Sequence, residues 1–173
     1  MRWRTHVMPA MAPEAMTDRI EISEGDPREE GAAALLTASN ALMEALFDPE
    51  ANHAMGPGEL SREDVLFLVA RHRGEVAGTG ALVERGGYGE IKAMFVAPEK
   101  RGLGVAAALL ARLEEAARER GLPVLRLETG DALEEAVRLY ARAGFRPCGP
   151  FGPYGEDARS LFMEKALTAE AAP

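Results

Sequence analysis

The spacing of apolar side chains predicts a strand and then a long helix near the start of the chain. Residues 17–22 alternate between polar and apolar side chains, which is typical of a half-buried strand. Asp26 is suited to cap a helix and Pro27 to occupy its first position. Apolar residues at helical spacing follow, so we expect this helix to end near Phe47.

An antiparallel meander of three strands is predicted next. The apolar run at 65–70 has the composition of a strand, and an Arg-Gly pair at 73–74 marks a tight turn. The chain then returns along 75–84, and a Gly-Gly pair turns it again into 88–96. Connections this short make neighbouring strands antiparallel.

The second half of the chain adds a parallel step to this sheet. Residues 104–120 form the clearest helix, and the strand at 124–128 follows it, so we expect this strand to lie parallel to 88–96. Asp131 is suited to cap a further helix, and the last strand is predicted at 160–166. The pattern predicts a mixed α/β sheet that begins antiparallel, has one parallel pair in the middle and ends on a closing strand.

Composition narrows the class of protein. The 173 residues suffice for one domain, to which we assign residues 18–167. We expect 1–17 to be a flexible tail, or an extension of a chain that starts near Met16, and 168–173 to be frayed. The net charge of −8 argues against nucleic acid as a partner.

Further classes of protein are disfavoured by particular residue types. No apolar run approaches the roughly 18 residues that a membrane span needs, so we expect no membrane partner and a cytoplasmic location. The single Cys148 cannot form an internal disulfide. The three histidines match no metal-ligand spacing, so no metal is expected.

The segment between the third strand of the meander and the long helix has the chemistry of a phosphate-binding turn. Gly102 and Gly104 lack Cβ atoms, so an anion can approach the backbone closely. The N–H groups and the dipole at a helix start attract an anion, and Ala106 keeps the first turn slim. Lys100 and Arg101 add positive charge. The segment is therefore a candidate pyrophosphate site.

Two competing roles for this segment stay open on these residues alone. Gly-Leu-Gly is also common in a simple tight turn at a helix entry. Residues 102–107 match the G-x-G-x-x-A pattern of dinucleotide-binding folds, and Glu128 ends the next strand about 20 residues later. In such folds, however, the strand runs directly into the first glycine, whereas residues 97–101 intervene here. The 45 residues at 129–173 are also too few to complete a doubly wound domain.

Two separated motifs resemble those of the GNAT superfamily of N-acetyltransferases. The sequence RGLGVA at 101–106 resembles its R/Q-x-x-G-x-G/A coenzyme A signature, and LYARAGF at 139–145 resembles its late L-Y-x-x-x-G-F motif. The strand at 90–96 is similar to the central strand of that family, and the resemblance covers about residues 18–167 in the same order of elements. A small bacterial branch of the family shows similar LETG, FGPY and FMEK sequences at 127–130, 151–154 and 162–165.

The resemblance implies a fold and a cofactor. The fold is a mixed, mostly antiparallel twisted sheet with a central parallel strand pair and flanking helices. The cofactor is acetyl-CoA, whose pantetheine arm enters a gap where the central strand splays from its parallel neighbour. The residues so implied in cofactor binding are the main chain of Met94, Phe95 and Val96, and the loop residues Arg101, Gly102, Leu103, Gly104, Val105 and Ala106.

The resemblance also implies catalytic groups. Tyr140 matches the family tyrosine that protonates the departing thiolate, and a phenol with a pKa of about 10 can do so for a thiol with a pKa of about 8.5. A tyrosine packed in the core is the alternative interpretation. Glu90 on the central strand is our candidate for the general base, acting through water, and Glu128 on the parallel partner strand is the other candidate.

We expect the acceptor side to come from the first helix, the irregular loop at 50–58 and the late loop at 151–154. The candidate substrate-binding residues are His53, Lys92, Glu128, Thr129 and Tyr154. Lys92 or Arg126 could hold a substrate carboxylate. Leu133 is a departure, because many relatives carry an Asn there that touches the cofactor.

The resemblance therefore implies an acetyl-CoA-dependent N-acetyltransferase. We expect it to acetylate a primary amine of a small molecule, such as an amino acid, by direct attack on the thioester. A non-catalytic acyl-CoA sensor and a protein or peptide N-acetyltransferase stay open as alternatives on the same fold. A monomer and a homodimer both fit the sequence.

Overall fold

The computed structural model describes residues 18–168 of the chain. Seven strands in this part form one sheet: β1 (Ile20–Glu24), β2 (Val65–His72), β3 (Glu75–Arg85), β4 (Tyr88–Val96), β5 (Val124–Gly130), β6 (Arg146–Cys148) and β7 (Ser160–Ala166). The order across the sheet is β1-β2-β3-β4-β5-β7-β6. All neighbours are antiparallel except β4 and β5, which are parallel. The predicted fold class is confirmed.

Within residues 18–168, four α-helices cover the two faces of this sheet. They are α1 (Glu30–Leu46), the short α2 (Pro57–Leu60), α3 (Val105–Glu119) and α4 (Glu134–Arg142). Side chains alternate between the faces of a strand, so Leu66 and Leu68 of β2 join the apolar cluster beneath α3 and α4. Phe67 and Val69 face the other way and pack with Leu36 of α1. Each fully buried leucine or valine contributes about 1.5–3 kcal/mol.

The ends of the chain limit what can be compared with the sequence predictions. The expected tail at 1–17 lies outside the described residues. The expected frayed end at 168–173 also lies outside them, apart from its first residue. The domain assignment to 18–167 therefore stays a prediction at its two boundaries.

Both predicted helix caps are wrong, because each aspartate side chain forms a different bond instead. Helix α1 begins at Glu30, three residues later than Pro27 implied. The Asp26 carboxylate accepts the N–H of Arg28 at 2.8 Å and so stabilises a turn ahead of the helix. Helix α4 begins at Glu134, and Asp131 accepts a bond from Arg159 at 3.3 Å. The local bond of Asp26 and the long-range bond of Asp131 thus occupy carboxylates that were expected to cap a helix.

The tight turn predicted between β2 and β3 is confirmed. Arg73 and Gly74 have φ angles of 52° and 79°, so both lie in the left-handed region. This is the combination that a two-residue hairpin turn of the I′ type requires. The turn fixes the pairing of His72 with Glu75 and hence the register of β2 and β3 next to the turn.

Candidate active site

A gap opens between the two parallel strands at the centre of the sheet. Strands β4 and β5 pair only through Gly89 with Leu125 and Glu90 with Arg126. Strand β4 continues to Val96 and pairs only with β3 beyond this point. Within the described residues, the edge of β4 that faces β5 has no strand partner over these last residues. Its backbone groups are therefore available to a ligand that enters the gap.

A β-bulge at the gap bends β4. Thr79 pairs with Phe95 and Ala81 with Lys92, so β4 carries one residue more than β3 between these pairs. Ala93, inside the bulge, has a φ of 53°, which is uncommon for a residue other than glycine. The Thr79 hydroxyl donates to the Ala93 carbonyl at 2.8 Å and helps to hold this conformation. Such strained backbone is often found at functional sites, and neither residue was a sequence candidate.

The glycine loop, residues 101–106, leads from the end of β4 into α3. Gly102 and Gly104 both have a φ of 80°, and an added Cβ at either would meet no atom within 4 Å. The loop is therefore open on its outer side. Helix α3 has no side-chain cap, and within the described residues no backbone carbonyl accepts the N–H groups of 102–107. A row of unpaired donors at the positive end of a helix dipole fits a pyrophosphate.

The two basic residues beside the glycine loop differ in their partners. The Nζ of Lys100 lies 2.9 Å from Glu75 and 3.5 Å from the Nδ1 of His72, and its side chain is mostly buried. Arg101 is exposed and forms no ion pair within the described part of the chain. The sequence predicted both charges for the loop, whereas Glu75 neutralises Lys100. Arg101 therefore supplies the available charge.

A cleft lies beside the gap and is continuous with it. We call it the central cleft. Helix α1, the loop that follows it, the bulge of β4, the end of β5, helix α4 and the start of β7 contribute to its walls. Its apolar wall is formed by Leu36, Met43, Phe47, Met55 and Leu133. Its polar lining includes Asn40, Asn52, Lys92, Glu128, Thr129, Tyr140 and Ser160. Six residues that line the cleft were predicted as site residues from the sequence, namely His53, Lys92, Met94, Glu128, Thr129 and Tyr140.

Tyr140 reaches the central cleft from α4. It is buried, and its ring packs edge-on against Phe145 with centroids 5.8 Å apart. Burial raises the pKa of the Tyr140 phenol above its ordinary value of 10. Its hydroxyl has no hydrogen-bond partner within the described residues, so it can donate a proton into the cleft. The Tyr140 phenol is thus a neutral donor over the whole working pH range.

Glu90 and Glu128, the two base candidates, occupy different surroundings. Glu90 has no exposed side-chain surface and lies 2.9 Å from the guanidinium of Arg85. Its other oxygen accepts the hydroxyl of Tyr154, and it is not among the residues that line the central cleft. Glu128 does line the cleft and accepts the hydroxyl of Ser160 at 2.8 Å. Direct proton transfer in the cleft is therefore open to Glu128 and closed to Glu90.

Lys92 connects Glu90 to the cleft wall. Its Nζ donates to the carbonyl of His53 and to the hydroxyl of Tyr154, both at 2.9 Å. Burial lowers the pKa of Lys92, while the nearby carboxylates of Glu90 and Glu128 oppose this shift. The imidazole of His53 packs edge-on against Tyr154 at 5.0 Å between centroids. His53 thus contacts Lys92 through its backbone. Tyr154 bonds to both Lys92 and Glu90 but does not line the cleft.

Some residues of the site could not be found by sequence reasoning. Arg159 and Ser160 each bond to a residue far along the chain, and no fixed spacing marks such partners. Arg85 bonds to Glu90, which is five residues away, but no sequence motif marks this pair. Arg126, a sequence candidate for binding a carboxylate, pairs with Glu164 and lies over an aromatic ring instead. It is not among the residues that line the cleft.

Comparisons with known proteins agree with this geometry. The model of the acetyltransferase (GNAT) family matches residues 33–145. The chain belongs to the GNAT acetyltransferase family. An IAA acetyltransferase of Azospirillum brasilense is 42% identical over 150 residues, which cover 86% of this chain and 98% of the relative. The uncharacterized N-acetyltransferase YsnE of Bacillus subtilis is 41% identical over 72% of this chain and 85% of its own.

Solved structures of this GNAT enzyme's relatives share its fold. A Klebsiella pneumoniae protein assigned as an acyl-CoA N-acyltransferase has a TM-score of 0.74 and 36% identity, covering 88% of this chain and 100% of that one. The PaiA N-acetyltransferase of Thermoplasma acidophilum, solved with coenzyme A, has a TM-score of 0.69 at 18% identity over 86% of this chain and 99% of its own. The predicted family, N-acetyltransferase activity and acetyl-CoA cosubstrate are confirmed.

Two further observations concern other classes of ligand. No helix of residues 18–168 is both long and apolar enough to cross a membrane. In the same part of the chain, no three His, Cys, Asp or Glu side chains are grouped so that they could hold a metal ion.

Proposed function

We propose that this GNAT enzyme acetylates a primary amine of a small molecule, with Tyr140 as general acid and Glu128 as general base. One observation carries the proposal: both side chains line a single cleft that meets the gap between β4 and β5. Acid and base on the same cleft can act on one amine and one leaving group without moving between sites.

The glycine loop and the unpaired edge of β4 are the parts that would hold the cofactor. The N–H groups of 102–106 would bind the pyrophosphate, with Arg101 adding charge. The main chain of Met94, Phe95 and Val96 would bind the extended arm. Bound acetyl-CoA supplies a thioester whose carbonyl carbon an amine can attack.

Each proton then has a donor and an acceptor. Glu128 takes the proton of the incoming ammonium group, so that the nitrogen has a free electron pair. As the new carbon–nitrogen bond forms and the carbon–sulfur bond breaks, the Tyr140 hydroxyl gives its proton to the sulfur. The second proton lost by the nitrogen restores the phenol. Glu90 has no direct step in this scheme, and its role is to hold Lys92 and Tyr154 in place.

The walls of the central cleft favour a small acceptor over a protein. The loop after α1 lies against the cleft, and Lys92 ties it to β4 through the carbonyl of His53. A peptide segment would need an open groove on both sides of the reacting nitrogen. The relative from Azospirillum brasilense is named an IAA acetyltransferase, so IAA belongs in any acceptor panel.

A screen of acceptors tests the proposal. The purified full chain is incubated with acetyl-CoA and single acceptors from a panel of amino acids, polyamines, aminoglycosides, IAA and short peptides. Release of free thiol is followed, and the acetylated product is identified by mass. We expect transfer to at least one small amine. Transfer to peptides alone would overturn the small-molecule assignment, and tight binding of acetyl-CoA with no transfer to any acceptor would favour a sensor.

A further inference from the structure

Two cations share one buried carboxylate beside the central cleft. Glu90 has no exposed surface, and Arg85 lies 2.9 Å from one of its oxygens. The Nζ of Lys92 lies 3.7 Å from the other oxygen. One negative charge therefore faces two positive charges, and the surplus positive charge lies on the Lys92 side, which lines the cleft.

The remaining partners of Lys92 are neutral. Of its three N–H donors, one bonds to the carbonyl of His53 and one to the hydroxyl of Tyr154. Only 12% of its side chain is exposed. Its nearest carboxylate, that of Glu90, is shared with Arg85, so a ligand carboxylate would stabilise this mostly buried ammonium group further. Arg159, the other cation of the cleft, is half-exposed and already paired with Asp131.

A negative charge that could bind the acceptor's amine lies on the neighbouring strand β5. Glu128 of β5 lines the same cleft, and its carboxylate is close enough to act on the charge of Lys92. The two strands thus place one cation and one anion on the walls of a single cleft. A molecule that carries both an amine and a carboxylate complements this pair, whereas a simple amine leaves the cation unmatched.

We propose that the acceptor is an amino acid-like molecule whose carboxylate binds the Nζ of Lys92 while its amine faces Glu128. This inference rests on the acetylation proposed above and specifies its substrate class. The third N–H of Lys92 is the donor that the carboxylate would take, and Glu128 is positioned to receive the proton of the amine.

The apolar wall of the cleft indicates the side chain of this acceptor. Leu36, Met43 and Met55 face the space beside the charged pair, and Leu133 closes it from α4. Phe47 packs directly on Gly130, so that no side chain from β5 fills the space there. An apolar side chain on the amino acid would cover these surfaces and remove them from water.

The test compares matched acceptors in the wild-type enzyme. Apolar amino acids are paired with their amides and with the amines that lack the carboxylate, for example leucine, leucinamide and 3-methylbutylamine. Rates are compared at equal concentrations of the neutral amine. We expect kcat/KM to favour the amino acids by about 10- to 100-fold, as a charged hydrogen bond allows. Equal or higher values for the decarboxylated amines would overturn the inference.

Two variants locate the source of that preference. Lys92→Gln should remove it, lowering kcat/KM for the amino acids by about 10- to 100-fold and changing the values for the simple amines by less than about threefold. Arg126→Gln removes the same charge on β5, from a residue that pairs with Glu164 and does not line the cleft. It should keep the full preference. Loss of the preference in Arg126→Gln, or its survival in Lys92→Gln, would contradict the role of Lys92.

A binding measurement separates this inference from the acetylation that it rests on. Calorimetry with the enzyme saturated by coenzyme A reports amino acid affinity without turnover. Binding of apolar amino acids that depends on Lys92, without any acetylation, would keep the carboxylate site and overturn the proposed activity. Acetylation without preference for a carboxylate would keep the proposed activity and overturn the carboxylate site. If the apolar amino acids neither bind nor react, the inference is overturned.

Discussion

The cofactor side of this enzyme is formed mostly by backbone groups, whereas the acceptor side is formed by side chains. Apart from the side chain of Arg101, the cofactor side consists of backbone: two glycines with a φ of 80°, a row of unpaired N–H groups and a strand edge without a partner within the described residues. The acceptor side consists of side chains such as Lys92, Glu128 and Tyr140, which come from three separate elements. A site of backbone can bind the same cofactor in many relatives, while a site of side chains can change its acceptor through single substitutions.

The largest expected effect is a loss of kcat on substitution of Tyr140, which belongs to the acceptor side alone. Tyr140→Phe removes the proton donor, so kcat should fall about 1000-fold, within the range known for general acid–base catalysis. Affinity for acetyl-CoA should stay within about twofold, because the cofactor side is not touched. Since burial raises the pKa of this phenol, the wild-type kcat should show no alkaline fall below pH about 10. Initial rates and calorimetry measure the three quantities.

Tyr88→Phe is the matched control for this loss. Tyr88 is partly buried, and its ring packs edge-on against Phe151 at 5.6 Å, but it does not line the central cleft. The control should retain wild-type kcat. Similar kcat values for Tyr140→Phe and the wild type would remove Tyr140 from the mechanism.

The next effect is expected on the cofactor side. Gly104→Val places a branched side chain at a positive φ, where its Cβ covers the first N–H groups of α3. The loss of two charge-assisted hydrogen bonds of about 1.5 kcal/mol each would raise the Kd of coenzyme A by about 150-fold. Calorimetry with coenzyme A measures this value.

Gly121→Val is the matched control, because it places the same side chain at a positive φ just after the other end of α3. Gly121 has a φ of 69°, and an added Cβ there meets no atom within 4 Å. A left-handed residue other than glycine costs about 1–2 kcal/mol, so both variants should lower Tm to a similar degree. Only Gly104→Val should lose coenzyme A. An equal loss in both variants would mean that strain alone explains it.

The smallest of the three effects is expected at the two glutamates. Substitution of one should affect the rate, and substitution of the other should affect stability. Glu128→Gln should lower kcat/KM about 100-fold at neutral pH, with partial recovery at alkaline pH, where the acceptor has already lost its proton. Glu90→Gln leaves Arg85 and Lys92 without their shared carboxylate. Its main effect should be a loss of about 3 kcal/mol in the free energy of unfolding. Denaturant titration and pH–rate profiles measure both, and a reversal of the two patterns would make Glu90 the base.

The same contrast explains what the sequence could predict. The glycine loop and Tyr140 lie in short motifs, since a backbone turn and its neighbours are encoded by consecutive residues. The order of β2, β3, β4 and β5 followed from two hairpin turns and one crossover helix, whereas the place of β1 beside β2 was not predicted. The insertion of β7 between β5 and β6 was not predicted, because no short turn fixes that pairing.

The parts that sequence reasoning missed depend on distant contacts. The bulge at Ala93 is held by Thr79, and the pairing of Arg159 with Asp131 displaces the expected helix cap. The burial of Glu90 likewise follows from the meeting of Arg85 and Tyr154, which are far apart in the chain. No periodicity or motif encodes such meetings.

A crystal structure of the enzyme with bound acetyl-CoA would test most directly whether backbone groups form most of the cofactor site. We predict pyrophosphate oxygens within hydrogen-bond distance of the N–H groups of 102–106. We also predict the acyl arm along Met94–Val96, in the gap beyond the last β4–β5 pair, with its sulfur near the Tyr140 hydroxyl. Phosphates held elsewhere by side chains, or an arm outside this gap, would contradict a cofactor site made mostly of backbone.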